Sequence, residues 1–131
     1  MIGVDTNLLV RVFADDDAQQ GLAASRLLDQ SGRSQILVNV VVLVEFAWTM
    51  RRTYKWDDDW IRQALNMIAR HPALVIQHRD SVLEAISESN TGLAGFADRL
   101  IAAMNHEAGY DVTLTFDKDA AGSDGFKELE T

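Results

Sequence analysis

Two apolar rhythms run along this chain, one of period two or less and one of helical period. The opening stretch, MIGVDTNLLVRVF, shows both. Ile2 and Val4 read as a short buried strand; Leu8, Leu9, Val10, Val12 and Phe13 read as a buried helix. Continued to the C-terminus, the pattern predicts strands over residues 1–5, 35–39, 73–77 and 111–116. It predicts helices over 6–14, 16–30, 41–54, 58–70, 80–90 and 94–108, and a short helix over 118–123. Stop signals agree with these limits. Ser31-Gly32 ends the second helix, His71-Pro72 the fourth, and Gly109 the sixth. Strands thus alternate with helices, and the strands are apolar runs with little alternation. That argues for an α/β fold with a parallel sheet between helix layers. Ligands in such folds collect beyond the carboxyl ends of the strands.

Composition supports one such domain spanning residues 1–131. The chain is 47% hydrophobic and 24% charged, ordinary for a globular protein. It has no repeats, low-complexity segment or internal linker. The longest apolar run, Ile36 to Val44, is broken by Asn39 and is too short to span a bilayer. No signal peptide is expected, and the lack of cysteine excludes disulfides and thiolate zinc sites. A cytoplasmic protein is the expectation. The net charge of -8 argues against nucleic acid unless some carboxylates carry metal ions. Part of that acidity has a local reason. Asp15 to Asp17 and Asp57 to Asp59 each precede a helical pattern, where acids favour the positive end of the helix dipole.

Four acids stand among apolar neighbours. Asp5 ends the first strand, Glu45 sits in VVVLVEFAWTM, Asp98 begins FADRLIAAM, and Asp117 ends VTLTF. Each has a bland reading. Asp5 and Asp117 can cap the helices that follow them. Glu45 can pair with Arg52 or point to solvent, and Asp98 can serve as a first-turn dipole partner. The joint occurrence suggests convergence on one cleft. Two carboxylates at ~5 Å repel by roughly 3 kcal/mol at an effective dielectric of 20, so a bound hard cation would be needed. Oxygen-only ligands suit Mg²⁺ or Mn²⁺, and such ions serve phosphate chemistry.

The segments VDTNLLVR, VVLVEFAW, GFADRLIAA and TFDKDA, in this order and spacing, resemble the PIN domain. The likeness is greatest to the VapC-type ribonuclease toxins of bacterial toxin–antitoxin pairs, and it runs from Ile2 to about Ala121. It implies a three-layer αβα sandwich on a mostly parallel sheet of four to five strands. It matches Asp5, Glu45, Asp98 and Asp117 to the four catalytic, metal-binding acids and Asp119 to an additional acid. Thr6 and Asn7 match the DTN stretch, and Thr115 a hydroxyl beside the fourth acid. The resemblance further implies Mg²⁺- or Mn²⁺-dependent RNA cleavage by metal-activated water, a homodimer, and neutralisation by a cognate antitoxin. One departure is the tail, AAGSDGFKELET, whose glycines and charges argue against a fifth strand around Phe126 to Leu129.

The remaining polar and aromatic residues divide between local and functional roles. Arg51, Arg52 and Lys55 suit a helix C-terminus, with phosphate contact at the cleft rim as the functional alternative. Arg11 and Arg99 flank the acids and serve as ion pairs or RNA contacts. His71, His78 and His106 share no constellation and read as structural. Trp48, Trp56 and Trp60 read as core, with an antitoxin-docking surface as the alternative. Leu100, Met104 and Ala108 suit either a dimer seam or a helix buried within the monomer. Two competing functions stay open: a Mg²⁺-binding receiver-like signalling module, and a catalytically silent PIN-like domain that binds RNA or protein. A haloacid-dehalogenase-like phosphatase is disfavoured, since the second acid of that motif is Asn7 here.

Overall fold

Short strands ended by polar residues, and helices begun by them, set the course of the chain. The computed structural model describes residues 1–89 and 95–131; the predicted helix ends at Asn90 and Ala94 lie outside them. The described chain forms two compact units, Met1–Arg79 and Asp80–Thr131.

The first unit runs β1 (Ile2–Gly3), α1 (Thr6–Phe13), α2 (Ala18–Gln30), β2 (Ile36–Val38), α3 (Val40–Arg52), α4 (Asp58–Arg70) and β3 (Leu74–Ile76). Its strands pair in parallel in the order β1-β2-β3, with Ile2 opposite Ile36 and Ile36 opposite Leu74. Ile36 and Val38 are fully buried together with Leu9, Leu43, Phe46 and Met50. Leu37 and Val75 alternate with them and are 46% and 40% exposed, so burial is less even than the apolar runs suggested. Phe13 meets Phe46 edge-on at 5.4 Å and Trp56 at 6.3 Å, which joins α1 to α3 and to the loop after it.

Each helix of this unit starts at a capping side chain. Asp5, Asp17, Asn39 and Asp57 accept from the amides of Leu8, Gln20, Val42 and Trp60. Such a bond satisfies one of the free N–H groups of a helix start. The loop before α2 is held by a polar knot. Tyr54 donates its hydroxyl to Asp16 at 2.6 Å, and Arg11 donates to Asp16, to Tyr54 and to Gln20. The Tyr54 hydrogen bond, and beyond it the Arg11 guanidinium, hold the Asp16 carboxyl below the usual carboxylate range.

The second unit contains most of α5 (Arg79–Glu88), then α6 (Phe96–Glu107), β4 (Thr113–Thr115), α7 (Lys118–Ala121) and β5 (Phe126–Glu128). β4 and β5 pair in parallel, Thr113 opposite Phe126, with α7 in the crossover. The fifth strand that the tail argued against therefore forms. A parallel pair needs backbone donors and acceptors, not an apolar side-chain pattern. Gly125, at a positive φ of 85°, turns the chain and accepts from Thr113 N at 2.7 Å; Leu129 N donates to Thr115 O at 2.8 Å. Asn105 ties α6 to β4 through the Thr113 hydroxyl at 2.9 Å. Leu100 is buried, so the monomer-core reading holds for it. Among the described residues, no helix is long and apolar enough to cross a membrane.

Two outcomes follow for stability. Phe46→Ala removes a fully buried ring and should cost ~3–5 kcal/mol, read from urea unfolding. Asp16→Asn should destabilise the protein at neutral pH. Because the folded carboxyl titrates below its ordinary value, its contribution is complete above that value and fades as pH falls through the lowered one. Thermal melts of wild type and Asp16→Asn should therefore converge in acid; a gap that persists or widens below pH ~3 would contradict the role given to the Tyr54–Asp16–Arg11 knot.

Candidate metal-binding acidic site

Parallel pairing aligns the carboxyl ends of the first three strands. Carried past the paired residues, the register sets Asp5, Asn39 and Gln77 at one level, each directly after its strand or one residue beyond it. Asp5 Oδ1 accepts from Leu8 N at 3.1 Å and so caps α1. Asn39 Oδ1 accepts from Val42 N at 3.0 Å, and Gln77 Oε1 accepts from Val40 N at 3.1 Å; both serve α3. Asn39 and Gln77 were not among the expected site residues. An Asn between a strand pattern and a helix pattern is a cap signal that places Asn39 here.

The next residue after Asp5 connects it to the helix acid. Thr6 donates its hydroxyl to Glu45 Oε1 at 3.0 Å, across 39 residues of chain. Glu45 is exposed on α3, and so is Asp5 at the end of β1. Of the two bland alternatives for Glu45, the exposed position agrees with the solvent-facing one, to which the Thr6 bond is added, while Arg52 lies over the Trp48 ring, 5.3 Å from its centroid. Asn7 is exposed in the first turn of α1.

The second unit carries the other acids. Asp98 is half-buried in the first turn of α6, whose N-cap, Gly95, makes no side-chain capping bond. Asp117 follows β4 and caps α7, its Oδ1 accepting from Asp119 N at 2.9 Å and Ala120 N at 3.3 Å. The Thr115 hydroxyl accepts from Asp117 N at 3.0 Å and steadies that junction. Asp119 is exposed in the first turn of α7. The capping readings of Asp5 and Asp117 are therefore realised, and in both a single oxygen, Oδ1, does the capping.

The candidate cations have partners of their own. Arg11 belongs to the Asp16–Tyr54 knot, and Arg51 pairs with Asp58 at 3.4 Å. Arg99 is 6% exposed; its Nη1 lies 3.6 Å from Glu88 and donates to Asp124 O at 3.1 Å. The ion-pair alternative thus describes Arg11 and Arg99. His71 Nδ1 accepts from Ala73 N, and His106 lies 3.0 Å from Asp111, which are local structural roles.

Asp5 and Glu45 thus stand in the first unit, and Asp98, Asp117 and Asp119 in the second. Among the described residues, no group of three or more His, Asp or Glu is gathered as a metal site. The chemistry of the donors nonetheless suits a hard divalent cation: they are carboxylate oxygens, assisted by Thr hydroxyls, in a chain without cysteine.

No curated protein matches the sequence at a significant level. A sequence profile of the PIN domain matches residues 2–124, a span that takes in both units and all five acids. With nearly its whole length covered by that match, the chain belongs to the PIN domain family.

Proposed function

We propose that this PIN domain is a metal-dependent endoribonuclease, and the toxin of a toxin–antitoxin pair that acts in the cytoplasm. PIN domains are generally nucleases, and the match spans every acid the sequence singles out. The observation that carries the reading furthest is the Thr6–Glu45 hydrogen bond beside Asp5. It ties Glu45 to the residue that directly follows Asp5, 39 positions away along the chain.

In this proposal Asp5, Glu45, Asp98 and Asp117 hold Mg²⁺ or Mn²⁺, with Asp119 as an additional ligand. When bound, such an ion offsets phosphate charge and acidifies a coordinated water. The chain's own residues set the donors. The Leu8 amide fixes Asp5 Oδ1, the Thr6 hydroxyl fixes Glu45 Oε1, and Thr115 fixes the backbone at Asp117. Asn7 would help orient the acids or the bound water. The reaction is hydrolysis: a water oxygen adds to phosphorus, the bond to the 3′ oxygen breaks, and a proton goes to that leaving oxygen. A homodimer and a cognate antitoxin complete the proposed assembly, with RNA as substrate.

The test is cleavage of structured RNA with and without Mg²⁺. Asp5→Asn should abolish cleavage yet melt like the wild type, because Asn caps a helix as well as Asp does. Thr6→Val, which keeps the shape and removes the donor to Glu45, should lower activity by ~10–100-fold with part of the loss restored by excess Mg²⁺. An Asp5→Asn protein that cuts RNA at the wild-type rate would exclude the assignment. A wild type that binds RNA without cutting it would favour a silent PIN-like binding domain.

A further inference from the structure

Helix α3 carries a strip of outward residues that its own fold does not account for. Val41, Glu45, Trp48 and Arg52 recur at helical spacing along one face, and all four are exposed. Trp48 is 59% exposed and Trp60 is 58%, so two of the three tryptophans expected in the core lie largely outside it. Their surroundings differ. Trp60 lies 6.5 Å from Trp56, which in turn meets Phe13, so it extends the aromatic core. Trp48 instead has the Arg52 guanidinium over its ring at 5.3 Å. An indole left in water exposes a large apolar surface, and an arginine lying on it gives a flat, positively charged platform.

The platform's place on the helix is specific. Trp48 is one turn beyond Glu45, the acid that Thr6 engages, and Arg52 is one turn further. From Glu45 to Arg52 the rise is about 10 Å at ~1.5 Å per residue. Along that line stand an acid of the candidate site, a stacking surface and a cation. We propose that Trp48 stacks a base of single-stranded RNA next to the bond to be cut, while Arg52 holds the adjoining phosphate; this rests on the ribonuclease reading above. Charge favours a nucleic acid here over an apolar protein segment. The strip interleaves its apolar groups with an acid and a guanidinium, and it is Arg52 at the Trp48 ring that offers the positive charge, since the neighbouring Arg51 is paired with the exposed Asp58. Stacking also tolerates any base, because each has a π-face.

The experiment measures binding of a fluorescein-labelled oligoadenylate and a matched abasic strand, by anisotropy in Mg²⁺, in the Asp5→Asn background. Trp48→Leu should weaken oligoadenylate binding about tenfold or more and leave abasic binding unchanged; Trp48→Phe should keep most of the affinity. In the active protein, Trp48→Leu should raise KM more than it lowers kcat. All variants should melt at the same temperature, since Trp48 lies outside the core. Equal affinity of Trp48→Leu and wild type, equal loss in Leu and Phe variants, or an effect on oligomer size alone would overturn the platform. Failure of the ribonuclease reading looks different: oligoadenylate binding would depend on Trp48 while the wild type left RNA uncut.

Discussion

A helix start leaves backbone N–H groups with no partner inside the helix, and in this chain a polar side chain at the strand end answers them. That one demand places much of the chemistry. Asp5, Asn39 and Asp117 stand at strand-to-helix junctions because each caps the helix that follows. Parallel pairing then puts Asp5, Asn39 and Gln77 at one level of the first unit. A residue recruited for capping is thereby brought to the edge where α/β folds take their ligands. The cap also restrains the carboxylate, since one oxygen is held by an amide and the second is directed as a result.

Electrostatics then limits what can be bound there. The chain carries a net charge of -8, and several of its cations are already engaged by acids or carbonyls: Arg11 with Asp16, Arg51 with Asp58, Arg62 with Asp59, Arg99 with Glu88. A polyanion meets little free positive charge along these pairs. Under the proposed function, affinity for RNA depends on divalent cations at the acids and on stacking, more than on a basic surface. Strong dependence on salt of the kind shown by basic nucleic-acid binders is then not the expected behaviour.

Much of the fold was legible in the order of apolar residues. Helix α4 spans the residues its periodicity predicted, since Asp57 before it and His71-Pro72 after it act locally. Strands came out shorter than predicted because their last polar residues, Asp5 and Asn39 among them, are caps instead of strand. Strand β5 was hidden because backbone pairing leaves no mark on side-chain pattern when the segment is short and charged. The acids were visible through their apolar neighbours, but those neighbours suggested burial, whereas Asp5, Glu45 and Asp117 are exposed. The Thr6–Glu45 contact could not be read at all, because it joins residues 39 positions apart. Nor could the outward face of α3: a helix apolar almost all round has no phase to show which side meets water.

The capping geometry at Asp5 and Asp117 has an evolutionary side. The amide of asparagine presents the same kind of oxygen to a helix start as the carboxylate it would replace. A single-nucleotide change turns an aspartate codon into an asparagine codon. Under the proposed function, selection against the activity would therefore have, at these two junctions, a one-step route to a disarmed descendant that keeps its helix caps. Such descendants would persist as folded relatives rather than vanish by misfolding, and a family built this way is well suited to accumulate members that keep the shape after the chemistry is gone.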